Sequence, residues 1–498
     1  MTAPMQQLQD IRSRCGAQET QGLPDAIVLK FLAIDEGLAQ AISEAAAARD
    51  ALDAIHGADF LLEERALITR LQEGYLNFYA PATLNPYIPL AARGPWLITT
   101  HGAVLHDSGG YGMLGFGHAP ASILAAMGAP HVMANIMTAS FSQRRLMDRL
   151  RAEVGHARAN GCPFEHFLCL NSGSESVTLA LRMADINAAQ QTAPDGPRPQ
   201  QRIKMVALRG AFHGRTDRPA QASNSTMPKY KGHLASFRDR DNLVVVEPND
   251  LDGIKAAFAE ADREGVFLEA VLMEPVMGEG NPGYASSREF YDTVRRLTRD
   301  HGSMMIVDSV QAGLRAQGTL SVVDYPGFED AEPPDMETYS KALNGGQYPL
   351  SVLAMTSRAS ALYVKGLYGN TMTTNPRALD VAVAALDLLT PEVRANIRDR
   401  GVELVEKLKA LQRELPKAVL SVSGTGLLCA AELDPDHLPV VGFEGMEMWC
   451  RHQGIGIIHG GTNAVRLTPH FRITSAEIDL MVHSIRQGIL ALWPDAGA

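Results

Sequence analysis

An α/β fold is expected, with a large domain built on a mainly parallel sheet and a smaller α+β domain completing the chain. Two observations predict it. From about residue 160 onward, six short apolar runs (HFLCL, IKMVAL, LVVVEP, EAVLMEP, MMIVDS and PLSVLAM) alternate with stretches of helical periodicity. A parallel strand pair needs a crossover, and a helix on the face of the sheet supplies it, so this alternation implies parallel pairing. From about residue 385 the amphipathic run PEVRANIRDRGVELVEKLKALQREL leads into further strand and helix signals ending near residue 498.

Each element follows from its residues. Residues 1–72 read as a helical N-terminal extension, because Ala, Glu, Leu and Arg dominate AISEAAAARDALDAI and FLLEERALITRLQEGY at helical spacing. It carries no visible chemistry, so a packing or dimer-contact role is expected. Residues 73–130 change to Gly, Pro, Tyr and Asn clusters, the mark of loops and short strands, and read as the N-terminal part of the small domain. Residues 131–384 form the large domain and 385–498 the C-terminal part of the small one. A polar, Pro- and Gln-rich interruption over residues 180–202 is expected to be a surface loop. There is no internal repeat.

Composition removes several function classes. Hydrophobic residues make up 46% and charged residues 20%, the balance of a globular protein with sizeable cores. The net charge of −11, with no Lys/Arg-rich tract, argues against a nucleic-acid partner, whose phosphates require a basic face. No stretch approaches the roughly 20 apolar residues of a membrane span, and the first residues lack the apolar run of a signal peptide. The five cysteines form no CxxC pair, so reduced thiols in a cytoplasmic protein are expected, with no metal site.

Four segments where strands end carry candidate chemistry, since ligands of open α/β sheets bind outside the carboxyl ends of the strands. After HFLCL, Ser172, Gly173 and Ser174 open a helix whose unpaired N–H groups suit a phosphate, although Ser-Gly-Ser there also reads as a simple N-cap. After IKMVAL come Phe212, His213 and Arg215; the aromatic ring could stack on a flat ligand and the guanidinium could grip a carboxylate. Asp308 closes MMIVD, where a buried carboxylate needs a partner such as a protonated pyridine nitrogen. Val310 would then fit beneath the ring and Gln311 could donate to its phenolic oxygen. Lys341 follows METYS and precedes a Gly-rich turn, where a partly desolvated amine could form a Schiff base. Alone, a lysine in such a loop is more often a surface charge.

In this order the segments resemble the subgroup (class) III aminotransferases. This branch of the fold type I pyridoxal 5′-phosphate (PLP) enzymes includes ornithine, acetylornithine and 4-aminobutyrate aminotransferases. The resemblance runs from about residue 75 to about 490 and leaves the first 72 residues without a counterpart. Ser172 to Glu175 match the phosphate segment, Phe212 to Thr216 the aromatic-x-Gly-Arg-Thr segment, Asp308 to Gln311 the Asp-Glu-Val-Gln segment and Ser340 to Ala342 the Schiff-base segment. EPVMGEG, GNTMTTNPRAL, GFGHAP, SGTGLLCAAEL and VRLTPHFRIT resemble further family segments. Ser309 stands where the family has glutamate, His470 where it has a second proline, and Thr373 and Thr374 where it has glycines. The loss of that glutamate is expected to remove one buried charge beside the cofactor.

The resemblance implies a PLP-dependent aminotransferase acting in two half-reactions, with a small-molecule amino donor and a 2-oxo acid acceptor. Lys341 and Asp308 are the implied catalytic residues. Ser172, Gly173, Ser174, Phe212, His213, Val310 and Gln311 are the implied cofactor contacts, with Thr371 reaching the phosphate of a neighbouring subunit in a homodimer. Arg215, Glu279 and Arg466 are the implied substrate residues. Together they favour an ω-amino acid or amine donor and 2-oxoglutarate. A racemase, decarboxylase or aminomutase of the same branch would keep every cofactor residue, and a non-catalytic scaffold is the remote alternative.

Overall fold

The computed structural model describes residues 2–497, which divide into two compact units: residues 2–121, 399–423 and 429–497, and residues 122–398 with 424–428. Among the described residues no helix is long and apolar enough to cross a membrane.

In the first unit the N-terminal helices Ala3–Ser13, Asp25–Leu32, Glu36–His56 and Glu64–Leu71 precede an antiparallel meander of β1 (Pro89–Arg93), β2 (Trp96–Thr99) and β3 (Val104–Asp107). The extension is part of this unit's core. Helix Glu36–His56 lays Leu38, Ala41, Ile42 and Ala45 on β1 and β2, all at 0% exposure. Its N-cap Asp35 accepts from the Gly37 amide at 2.8 Å and, with its other oxygen, from the Trp96 indole at 2.5 Å. A cap and a buried indole thus share one carboxylate, so the helix start is fixed to the sheet. Packing, the role expected of these helices, is what they do here.

The second unit holds a seven-stranded sheet. Its strands are β4 (His166–Leu170), β5 (Arg202–Leu208), β6 (Leu243–Val246), β7 (Val266–Met273), β8 (Met304–Asp308), β9 (Met336–Tyr339) and β10 (Ser351–Met355), in the spatial order β4-β10-β9-β8-β7-β5-β6. All six apolar runs contribute strands. Pairs β6/β5, β5/β7, β7/β8 and β8/β9 are parallel, while β10 runs antiparallel to both β9 and β4. The sheet is therefore mainly parallel, as expected, and β7, β8 and β10 are buried along their whole length. Because β4, β5, β7, β8 and β9 all point one way, the loops after them gather at one edge.

The polar loop expected over residues 180–202 begins later. Residues 180–191 continue the helix Gly173–Gln191, with Ala180, Leu181, Met183, Ala184 and Ala188 buried. Apolar positions at i, i+3 and i+4 outweigh the scattered polar residues, and the helix stops only before the Pro-containing TAPDGP run.

The rest of the chain adds β11 (Val419–Thr425), β12 (Leu428–Leu433), β13 (Ile455–Gly456), β14 (Ile458–Gly460) and β15 (Ala464–Leu467). Strands β11-β12-β15-β14 form one sheet, and β13 joins β3 in parallel to make the meander four-stranded. Helix Ser475–Leu492 closes the chain behind a capping box of Thr474 and Glu477.

Candidate active site

The site grows from the edge of the seven-stranded sheet. After β4, Ser172 caps helix Gly173–Gln191: its hydroxyl accepts from the Glu175 amide, and Glu175 Oε2 accepts from the amides of Asn171 and Ser172 at 2.8 and 3.1 Å. The box satisfies those donors and leaves the Gly173 and Ser174 amides at the positive end of the helix, where an anion is favoured. The Ser174 hydroxyl faces the segment after β5, accepting from the Arg215 and Thr216 amides at 3.1 Å each. Gly214 makes this approach possible. It sits at φ 120°, and a Cβ there would come within 2.4 Å of Ser174 Oγ.

Asp308 ends β8 with 4% exposure. Its Oδ1 accepts from the Val310 amide and the Thr338 hydroxyl, both at 3.1 Å, and its Oδ2 takes His213 Nδ1 at 2.9 Å. Burial pulls His213 toward neutrality, but the hydrogen bond and charge of Asp308 and the charge of Glu274 outweigh it and raise its pKa. Glu274, just past the end of β7, accepts from the Phe212 and Gly278 amides at 3.1 and 2.8 Å. Burial, reinforced by the Asp308 charge and opposed by His213, pushes it up to about 7. Asp308, His213 and Glu274 are one electrostatic unit. Sequence reasoning placed His213 near the cofactor without a role and gave Thr338 and Glu274 none; strand-end position was the only signal for either.

Near Asp308 the turn after β4 meets Val310. A Cβ on Gly173 would come within 2.8 Å of Val310, so the phosphate-type turn and the valine touch only because residue 173 is glycine. Gln311 and His213 each keep a buried side-chain nitrogen, Nε2, with no hydrogen-bond partner. Buried polar atoms without partners are costly, and a bound polar group would relieve them. Phe212 is half-buried, with the Arg215 guanidinium 5.1 Å from its ring centre and Arg215 itself exposed. Lys341 follows β9, which pairs with β8, so it lies at the same sheet edge as Asp308. Lys341 adopts φ +50°. A left-handed non-glycine residue is strained, and such strain collects at functional positions.

Thr371 is exposed on a turn, beside Asn370, whose side chain donates to Glu175 Oε1 at 3.2 Å. Glu279 is half-buried in the segment after β7. Arg466 belongs to the other unit, on β15, with 5% exposure.

Ser309 does not leave the core without its acidic group. Its hydroxyl donates at 2.5 Å to Glu337 on the adjacent β9, which is fully buried and also takes the Ser321 hydroxyl, the Val322 amide and the Tyr339 hydroxyl. Burial pushes Glu337 up to about 7 against the pull of these four donors. An acid with a raised folded pKa contributes stability that is complete below the ordinary value of 4.5 and is lost as pH climbs to about 7. Glu337→Gln removes that dependence. Denaturant unfolding at about pH 5 and about pH 8 should show the wild type losing about 1–3 kcal/mol relative to the variant, at 1.4 kcal/mol per pKa unit discounted for hydrogen bonding. A gap that is the same at both pH values would show that Glu337 does not titrate in this range.

The comparisons agree with this geometry. The family model described as aminotransferase class-III matches residues 78–489. The acetylornithine aminotransferase of Xanthomonas axonopodis pv. citri is 30% identical over 313 residues, 63% of this chain and 71% of the relative. That of Thermosynechococcus vestitus is 29% identical over 337 residues, 67% of this chain and 76% of the relative. Among solved structures, the ornithine aminotransferase of Toxoplasma gondii ME49 superposes with a TM-score of 0.73 at 21% identity, covering 90% of this chain and 98% of that one. The N-acetylornithine aminotransferase of Stenotrophomonas maltophilia K279a gives 0.66 at 22% identity, covering 86% and 100%. At these identities the structures speak for the fold.

Proposed function

Because the chain belongs to the class-III aminotransferases and pyridoxal 5′-phosphate is its cofactor, we propose that it moves an amino group from an ω-amino acid or amine to a 2-oxo acid, with 2-oxoglutarate and glutamate as the acid pair. When bound, the cofactor supplies an electron sink for the substrate carbon. Everything else falls to the chain. The amides of Gly173 and Ser174 would hold its phosphate, Val310 and Phe212 would pack against its ring, and Gln311 would offer it the orphaned Nε2–H. Asp308 keeps a proton on the ring nitrogen, with the His213 Nδ1–H bond opposing any transfer of that proton onto the carboxylate. Lys341 Nζ would be the base that takes the proton from the substrate carbon.

The observation that carries the choice of substrates is the joint presence of Arg215, Glu279 and Arg466. An exposed Arg215 beside the ring-facing Phe212 suits the distal carboxylate of glutamate, and a buried Arg466 suits an α-carboxylate. In the ornithine-type pattern that this chain resembles, the carboxylate matching Glu279 pairs with the arginine matching Arg466 while an ω-amine without that α-carboxylate reacts. Relatives named for acetylornithine and ornithine point the same way. A screen of amine donors with 2-oxoglutarate, following glutamate, tests the assignment; activity only with α-amino acids would overturn it.

Glu279→Ala separates the switch from the chemistry. Leaving Arg466 without its counter-charge when an ω-amine is bound costs several kcal/mol, on the order of a hundredfold in rate. The ratio of kcat/KM for glutamate to that for the best ω-amine should rise by this amount in the variant. A ratio unchanged within about threefold, or about 0.65 kcal/mol, would mean that Glu279 does not gate this arginine.

A further inference from the structure

A second chemical cluster lies wholly inside the first unit. His106 on β3, His470 in the loop after β15 and Glu477 in the first turn of helix Ser475–Leu492 bring one ligand atom each to within 4.8 Å of the others. His106 Nε2 and His470 Nε2 stand 3.1 and 2.8 Å from the same Glu477 Oε1. Donors bound at 2.0–2.1 Å around a tetrahedral ion are separated by about 3.3 Å, so a small opening of the cluster admits one.

The outer atoms are held as well. His106 Nδ1 is 2.8 Å from Ser108 Oγ, which orients the ring with Nε2 inward. Glu477 Oε2 accepts the Thr474 amide and hydroxyl, both at 2.7 Å, which turns Oε1 toward the imidazoles. His106 and Glu477 thus carry hydrogen bonds on the far side of the kind characteristic of built metal sites. His106 and Glu477 side chains are 0% and 5% exposed, while that of His470 is 12% exposed and marks the side from which an ion can enter. His470 also stands where the aminotransferase pattern has proline, so the ligand nearest the surface is a departure of this chain from its family. Spacing could not show the cluster, because His106 is 371 residues from Glu477 and His470 only 7.

The geometry points to a binding site for one divalent transition ion of the zinc type, held by His106, His470 and Glu477. Two imidazoles and one carboxylate suit Zn²⁺ or Co²⁺ and are poor ligands for Mg²⁺ or Ca²⁺, which take oxygen donors. The ion would tie β3, the loop after β15 and the last helix together within their unit.

Untagged PLP-loaded enzyme is titrated with Co²⁺ and followed by its visible ligand-field absorption, then competed with Zn²⁺. One saturable equivalent per chain with a tetrahedral spectrum, displaced by Zn²⁺, is expected. His470→Ala should weaken binding at least about 10–100-fold, the range measured for losing even an outer-shell partner. Glu477→Gln, which keeps the helix cap, should do the same, and His437→Ala, on an exposed histidine elsewhere, should not. If Glu477→Gln does not fold, the His470→Ala titration decides alone. Absence of stoichiometric binding, or equal binding by His470→Ala, would overturn the site and leave a hydrogen-bonded His–Glu–His cluster.

Discussion

Lys341→Met is expected to abolish turnover while leaving the chain folded and able to hold pyridoxal phosphate. Methionine matches the length of the stem and removes only the amine. Lys341 is half-buried at the sheet edge beyond β9, and its backbone is already in the left-handed region. The substitution therefore adds no new strain to the segment. In the proposed role the amine has two tasks, attachment of the cofactor aldehyde and proton transfer at the substrate carbon. A positioned acid–base group contributes about 10²–10⁴-fold, so a loss of at least about 10³-fold in the single-turnover rate with glutamate is expected. Borohydride treatment of the wild-type enzyme followed by peptide mapping should find the pyridoxyl group on Lys341. A label on another lysine would sink the assignment of the whole site.

Asp308→Asn carries the second-largest effect. The amide oxygen can still accept from the Val310 amide and the Thr338 hydroxyl, so the end of β8 should keep its shape. What disappears is the negative charge that faces His213 and, in the proposed role, the ring nitrogen. Without it the ring nitrogen has no partner able to keep it protonated, and the cofactor absorbs electrons poorly. Removing one member of a buried charged pair costs about 3–5 kcal/mol, which is about 10²–10³-fold or more in kcat. Cofactor affinity should change far less, because the phosphate segment does not involve Asp308. A split between kcat and PLP retention distinguishes this electronic role from a merely structural one. Near-normal turnover in Asp308→Asn would show that the role belongs elsewhere.

The residues that titrate near neutrality sit behind these two. Glu274 and Glu337 are both buried carboxyls pushed up to about 7, one beside His213 and one beneath Ser309. They flank the end of β8 on its two neighbours, the segment after β7 and β9. Asp308 therefore lies in a region whose net charge depends on pH. The Glu337 experiment isolates one of them without touching a cofactor contact.

Several features were legible in the sequence because they are local. The Ser172-to-Glu175 capping box is an i, i+3 pattern, and the six strands announced themselves as apolar runs bounded by turn residues. The ordered segments placed Lys341, Asp308 and the phosphate turn at strand ends, and parallel strands bring such ends to a common edge. The tertiary structure decided what no local pattern encodes. His213 meets Asp308 across 95 residues, and Glu337 reaches Ser309 across 28. The N-terminal helices carry no sequence sign that Asp35 will share its carboxylate with Trp96, 61 residues away. Periodicity reports which face of a strand is buried, but strand order decides which side chain waits there. That order, with β8 between β7 and β9, is set by the crossover connections and the packing of whole layers, and so it exists only once the chain has folded.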